Sequence, residues 1–435
     1  MKNLSLYIHI PFCVRKCHYC DFLSSSCDGD TRQKYVNVLC REIAERAGQF
    51  KNKKVDTIFF GGGTPSLLEV YQMEQIMRAL RTEFQILDSA EISLEMNPGT
   101  VDKEKLRTYR NLGINRLSIG LQSANNDELR ILGRIHTWGN FLDTWKMIRQ
   151  EGFTNVNIDV MSALPGQTME SYEETLKKVL ALKPEHISAY SLIVEEGTLF
   201  YQWYGEENIN VINELPGEIQ NKKLPNENTD RQMYELTKQV LEEHGYHRYE
   251  ISNYSLKGYE CKHNIGYWKR KEYLGLGLGA ASLLFREDSE NYEVQEKQEN
   301  KISVINLRCT NITDLQEYLN IGQVCESDNT DDKVQSNENT SLSWLNTNKW
   351  IEEKSLLSEN DQMEEFMFLG LRMMEGVSPE EFEKQFGKSL QEVYGTQIRK
   401  LEKLGLLQYQ ETTKRYALTL QGIDVSNQVF AEFLF

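Results

Sequence analysis

The sequence contains no apolar run approaching the roughly 20 residues that cross a bilayer. A transmembrane segment is therefore not expected, although contact with a membrane surface stays compatible with the chain. No secretory leader is expected either. The first residues enter a strand at once, Leu4 to Ile10, and cleavage there would remove a cysteine motif that starts at Cys13. An excess of positive charge is also lacking. Lys and Arg number 49 against 65 Asp and Glu, a net charge of −16. So acidic a chain is not expected to bind nucleic acid through its phosphates. The even scatter of cysteines that marks a disulfide framework is missing too. Cys13, Cys17, Cys20, Cys27 and Cys40 crowd one end, and Cys261, Cys309 and Cys325 lie far from them. Such spacing in a large chain reads as metal binding in a reducing compartment, which points to the cytoplasm. No tandem repeat of fixed period is present.

What is present is a globular composition. The chain has 435 residues, 40% of them hydrophobic and 26% charged. That length allows two to four folded units. In the first half, short β-rich runs alternate with amphipathic stretches. Strands are predicted at Leu4–Ile10, Thr57–Phe60, Glu91–Asn97, Arg116–Gly120, Asn155–Val160 and His186–Ser191. Helices are predicted at Arg32–Ala47, Val70–Phe84, Lys103–Leu112, Trp138–Gln150 and Glu170–Leu182. Such alternation predicts an α/β fold with a parallel sheet. Six strands fall short of the eight of a closed barrel, so the expectation is an open, partial (βα)6 barrel over residues 1–205. An α+β extension is expected over 206–286, with a helix over Thr229–Gly245. Residues 287–347 are expected to carry acidic insertions, partly disordered, in the polar stretches Glu287–Asn300 and Glu326–Ser343. Over 348–435, three helices (Met363–Met374, Ser378–Phe386, Leu390–Leu404) and a hairpin predict a small winged-helix-like domain. In so acidic a chain it is expected to be a packing module.

The chemistry concentrates after the first strand. Cys13, Cys17 and Cys20 form a Cys-x3-Cys-x2-Cys loop. A [4Fe–4S] cluster normally takes four cysteines, and the local count stops at three. One iron is then left for an external ligand. For this spacing that ligand is S-adenosylmethionine (SAM), held by its amino and carboxylate groups and cleavable to a deoxyadenosyl radical. Three buried structural cysteines, or a zinc site completed by His18 or Cys27, are the competing readings.

In a parallel barrel the working face lies at the C-terminal ends of the strands. Gly61-Gly62-Gly63-Thr64-Pro65 follows the second strand, and glycines there let backbone approach a ligand. Glu95 and Asn97 follow the third strand, Gln122 the fourth, and Asp159 lies in the fifth. Arg134 stands on the segment after them. Any one of these reads as a cap or an ion-pair partner. Together on one rim they favour a polar ligand with amino, carboxylate and ribose groups. Tyr7 is a weaker candidate, because a strand aromatic is usually core.

Taken together, Tyr7-Ile8-His9-Ile10-Pro11-Phe12-Cys13, Cys17, Tyr19-Cys20, Gly61 to Pro65, Arg116 to Ser123, and Asp159 with Leu164-Pro165-Gly166-Gln167-Thr168 resemble the family of oxygen-independent coproporphyrinogen III oxidases and their relatives. The resemblance runs in order over nearly the whole chain. It implies that Tyr7, Gly62, Gly63, Thr64, Glu95, Gln122, Arg134 and Asp159 contact SAM, with Tyr19 among the cofactor-binding residues. The dehydrogenase branch carries a further cysteine two residues after the third cluster cysteine, where this chain has Phe22. The heme-chaperone branch resembles this chain at that position. It also carries a His-Asn-x-x-Tyr-Trp motif, matched here by His263, Asn264, Tyr267 and Trp268. Imidazole is a common axial ligand of heme iron, and flat aromatic neighbours suit the macrocycle. His263 is thus the expected heme ligand, with the Cys261 thiolate as a less favoured one and a structural histidine as the bland alternative. Ala281 departs from the branch, whose members often have His there. The expected function is heme binding beside a SAM-ligated cluster, with transfer of heme to an acceptor protein. Oxidative decarboxylation of coproporphyrinogen III, and radical chemistry on another tetrapyrrole, are the alternatives. Neither the acceptor nor the oligomeric state is legible in the sequence.

Overall fold

In the computed structural model, residues 3–205, 217, 222–287, 304–321 and 348–435 are described. The first half alternates strands with helices, two of them between the fourth and fifth strands. Its strands are β1 (Asn3–Ile10), β2 (Lys54–Gly62), β3 (Gln85–Met96), β4 (Arg116–Gln122), β5 (Val156–Ser162) and β6 (His186–Ser191). Between them lie helices α1 (Gly29–Ala47), α2 (Val70–Glu83), α3 (Lys103–Asn111), α4 (Asn126–Ile131), α5 (Trp138–Gln150) and α6 (Met169–Ala181). The six strands pair in parallel and in chain order. This is the partial (βα)6 barrel that the alternation predicts. Strand periodicity explains its core. Leu4, Leu6, Ile8 and Ile10 of β1 share one face and pack with Val36, Leu39 and Ile43 of α1 in the main hydrophobic cluster.

The barrel does not close on itself. Helix α7 (Leu199–Tyr204) follows β6, and later helix α8 (Glu227–Glu243) starts from Asn226 as its cap, a turn before the expected Thr229. Strands β7 (His247–Glu250) and β8 (Asn253–Ser255) then extend the β6 edge in antiparallel pairing. After helix α9 (Lys262–Trp268), strand β9 (Tyr273–Leu276) pairs parallel to β1 at the opposite edge. Strands β10 (Ala281–Glu287), β11 (Val304–Asn311) and β12 (Ile351–Leu356) continue outward from it. The described residues thus include a twelve-stranded sheet whose outer strands come from the extension, from the 287–347 stretch (β11) and from the start of the C-terminal stretch (β12). Val304–Asn311 and helix α10 (Leu315–Ile321) lie inside the stretch 287–347 expected to carry insertions. Leu307, Tyr318 and Leu319 pack there in the main core. Apart from Glu287, which ends β10, the two polar stretches named for that region lie outside the described residues, as does Cys325.

Residues past 358 build a second core. Helices α11 (Glu359–Gly370), α12 (Pro379–Phe386) and α13 (Leu390–Lys403) and the hairpin β13 (Leu407–Gln410) to β14 (Arg415–Leu418) pack around Met367, Phe382, Tyr394 and Ile398. Three helices and a hairpin are the winged-helix-like order expected. Ser358, Ser378 and Ser389 cap the three helices by accepting a backbone N–H. Among the described residues no helix is long and apolar enough to cross a membrane.

Candidate radical SAM centre and its neighbouring helix

The cysteine loop leaves β1 at Pro11 and is pinned at both ends. Ser25 N donates to Pro11 O at 2.9 Å, and Cys13 N donates to Ser25 O at 3.0 Å. Phe12 anchors it, buried edge-on against Tyr35 with ring centres 5.1 Å apart. The glycine run fits against it from β2. Gly63 N donates to Ile10 O at 2.9 Å, and a Cβ on Gly63 would lie 2.7 Å from Phe12 O. Only a residue without a side chain lets these two segments meet. The same holds at Gly62, at φ 111°, where a Cβ would strike the His9 ring at 2.5 Å. The glycine signal therefore has a geometric cause: it seats the cluster loop.

Cys13, Cys17 and Cys20 are half-buried and line one cavity of about 330 Å³. Thr64 Oγ1 lies 3.5 Å from Cys13 Sγ, and Arg134 Nη1 donates to Cys17 Sγ at 3.6 Å. Burial, followed by the neighbouring Cys17 and Cys13 thiols, pushes Cys20 up to about 11. Three thiols on one short loop facing one cavity are the donor set that an iron–sulfur cluster takes. His18 bonds Ile131 O at 2.9 Å and stands edge-on to Trp203, while Cys27 packs against the main core. These placements disfavour the zinc reading, which needs His18 or Cys27 as its fourth ligand.

Polar side chains share the rest of the lining with Phe22, Phe59 and Met96. Gly62, Gly63, Glu95, Gln122, Arg134, Asp159 and Tyr19 line the cavity, as the sequence proposed. Glu95 accepts from Gly62 N at 3.1 Å. Burial, with Asp159 adding, pushes Glu95 up to about 8. Burial likewise raises Asp159 to about 6, while its bonds from Asn157 and Ser188 and the charges of Arg134 and Arg116 pull the other way. Two buried carboxyls held above their usual range favour a ligand that brings positive charge, as the sulfonium and ammonium of SAM do. Arg134 is fixed by donating to Asn97 Oδ1 at 2.5 Å and to Gly120 O. Gln122 sits at φ 74° beside a register shift at the end of β4 and accepts from Tyr190 OH at 3.1 Å. Thr64 lies in the adjoining cleft, and Tyr7 is held behind the cavity wall by its 2.9 Å bond to His9.

Sequence reasoning missed the deeper wall: Arg116, Asn157, His186, Ser188 and Tyr190. The signal was available. Arg116, Ser118, Gly120 and Gln122 alternate along β4, Asn157 and Asp159 along β5, and His186, Ser188 and Tyr190 along β6. Polar residues at period 2 on adjacent barrel strands mark an inward polar face. They also form a chain of hydrogen bonds. Asn157 Nδ2 donates to Asp159 at 2.7 Å, and Asn157 Oδ1 meets His186 Nδ1 at 2.6 Å. His186 Nε2 meets Tyr249 OH at 2.8 Å, and Tyr249 OH accepts from Cys261 N at 3.2 Å. With Asn157 Oδ1 as acceptor, the His186 proton is on Nδ1 and Tyr249 donates to Nε2.

That chain ends at the first turn of α9, which carries the His263 motif. Cys261 and Asn264 line the thiol cavity. Glu91 on β3 ties the turn down by accepting from Lys262 N at 3.2 Å and His263 N at 3.1 Å. His263 itself faces away from solvent, 1% exposed. Its ring stacks on Phe59, and its nitrogens bond Thr57 Oγ1 at 2.8 Å and Tyr267 OH at 2.9 Å. Burial pushes its pKa down to about 3, so it is a neutral imidazole with both nitrogens engaged. Burial and the nearby Glu91 push the Cys261 thiol up to about 12. Trp268, at the far end of α9, faces a different cavity, next to the C-terminal domain.

Comparison with known proteins agrees with this geometry. Residues 7–179 match the Radical SAM superfamily, and residues 357–425 match the HemN C-terminal domain. A solved structure described as coproporphyrinogen III oxidase (HemN) from Escherichia coli, a radical SAM enzyme, superposes with a TM-score of 0.74 at 22% identity. It covers 99% of this chain and 90% of its own, and so shows the shared fold. The fold and the three-thiol loop therefore define a radical SAM protein with a HemN-type C-terminal domain. Its curated relatives are narrower. Heme chaperone HemW of Lactococcus lactis is 34% identical over 100% of this chain and 98% of that protein. Heme chaperone HemW of Bacillus subtilis is 31% identical over 99% of both. The chain belongs to the HemW family of heme chaperones.

Proposed function

We propose that this protein binds heme beside a SAM-ligated [4Fe–4S] cluster and passes the heme to an acceptor protein in the cytoplasm. Cys13, Cys17 and Cys20 would hold the cluster. Glu95, Gln122, Arg134 and Asp159 would line the SAM site, with Gly62 and Gly63 giving backbone access. When bound, this pair supplies one-electron chemistry at the sulfonium. The chain's own residues orient the ligand through Arg134 and Gln122 and offer buried carboxyls to its positive groups. The observation that carries the reading is the position of α9. The helix bearing the full His263–Trp268 motif presents Cys261 and Asn264 to the thiol cavity. Of the motif itself Asn264 lines that cavity, which supports a role for the helix beside the thiols. Phe22, 62% exposed at the cavity mouth, stands where the dehydrogenase branch has its further cysteine.

His263 would ligate heme iron through a nitrogen now bonded to Thr57 or Tyr267. Ligation therefore requires α9 to shift and one of those bonds to open. The second reading, decarboxylation of coproporphyrinogen III, has the HemN-type fold in its favour. Anaerobic incubation of reconstituted protein with coproporphyrinogen III, SAM and a reductant separates the two. The proposal expects no conversion, and turnover to the divinyl product overturns it.

A further inference from the structure

Helix α9 ends in an unusual way. Its last turn closes with Arg270 N donating to Tyr267 O at 3.0 Å and Lys271 N donating to Gly266 O at 2.8 Å. This pairing places Arg270 in the left-handed position that glycine favours, at φ 50°. Arg270 is also buried, at 6% exposure. Its Nε is bonded to Glu365 at 2.8 Å, but Nη1 and Nη2 are buried without a hydrogen-bond partner. The indole N–H of Trp268 is in the same state. Strain and unpaired buried donors together mark a place kept for a ligand.

Both residues line a cavity of about 910 Å³ between the end of α9 and the C-terminal domain. That volume falls within the roughly 300–1,000 Å³ of small-molecule sites. One wall is apolar, made by Trp268, Phe366, Met373 and Val377. The rest is basic in a protein of net charge −16. Five cations line the cavity against the two acids Glu375 and Glu381. Lys269 and Arg415 are paired to those acids, at 2.7 and 2.9 Å. Lys271 and Lys384 are exposed and make no ion pair among the described residues.

We infer that this cavity is the seat of the tetrapyrrole, its ring against the Trp268–Val377 wall and its carboxylates paired with Arg270, Lys271 and Lys384. A flat apolar ring with two carboxylates on one edge is the chemistry that an apolar wall bordered by free cations recognises. The inference rests on the heme-chaperone reading and adds to it the C-terminal domain as the second half of the site. Recognition here is by ring and carboxylate, and it adds to the iron ligation by His263.

The test uses the full chain and three probes: heme, metal-free protoporphyrin IX and its dimethyl ester. The parent should bind all three. The double variant Lys271→Glu, Lys384→Glu should bind heme and protoporphyrin about tenfold more weakly, and bind the diester as the parent does. Both lysines are exposed, so the fold should be retained. Equal binding of protoporphyrin by parent and double variant overturns the inference, as does an equal loss for the diester. If His263→Ala abolishes heme binding while the double variant leaves it unchanged, heme binding stands and this seat is wrong. If the parent binds neither heme nor porphyrin, both fall.

Discussion

Tyr267→Phe should lower the stability of the heme-free protein and raise its affinity for heme. The Tyr267 hydroxyl lies 2.9 Å from His263 Nε2 in a buried site, and Thr57 occupies the other nitrogen. Removing the hydroxyl leaves Nε2 buried and unsatisfied, which costs the heme-free state about 1–3 kcal/mol. Phe preserves the ring packing, including the 4.6 Å edge-on contact with Tyr273. Iron ligation by Nε2 no longer has to break a bond, and it relieves the penalty. A net gain of about 1 kcal/mol corresponds to about fivefold tighter binding. The assay pairs denaturant unfolding of the heme-free chain with heme titration by absorbance. Opposite signs in the two measurements support His263 Nε2 as the ligand. If affinity falls together with stability, the hydroxyl acts on the heme directly or His263 is not the ligand, and the reasoning is refuted.

Other expectations follow from the same contacts. Gly63→Ala places a methyl 2.7 Å from Phe12 O and so displaces the cluster loop. Iron and sulfide content after reconstitution should fall well below that of the parent, with overpacking costing about 1–3 kcal/mol. His263 is held neutral by burial, with its pKa down at about 3 against 6.5 unfolded. The unfolded chain then binds the extra proton first, so this contribution is full above pH 6.5 and is lost as pH falls from 6.5 toward 3. Relative to His263→Gln, the heme-free parent should lose about 1.4 kcal/mol per pH unit in that window. A stability difference that stays flat with pH would show His263 to be accessible to protons. Breaking the hydrogen-bond chain with His186→Phe removes the link from Asn157 to Tyr249. SAM affinity and heme affinity should then both change, whereas a break that matters only to the fold would lower stability and leave both ligands alone.

Much of the fold was legible because its signals are local. Alternating apolar strands and amphipathic helices gave β1 to β6, whereas α11 runs Glu359–Gly370 where Met363–Met374 was expected, because Ser358 supplies its cap. The cluster loop was legible because three cysteines in eight residues can serve only one site. The sheet edges were not. Pairing of β8 with β6 and of β9 with β1 joins segments more than sixty residues apart, and no local pattern encodes it. Helix α8 began a turn early because Asn226, not Thr229, supplies the capping oxygen. The inward polar face of Arg116, Asn157 and His186 was written in the strand periodicity but reads as ordinary polarity until the strands are known to be neighbours. The His263 motif names residue types and says nothing of orientation. That the imidazole faces Thr57 and Phe59, while Trp268 faces a separate cavity, depends on how α9 lies across β2.

Heme binding by the intact protein is the property on which the proposed function stands. The most direct measurement is heme titration of the anaerobically reconstituted full chain alongside His263→Ala. The parent should bind close to one heme per chain, and the variant should lose stable binding. No stoichiometric binding by the parent, or equal binding by both, would contradict the proposed function.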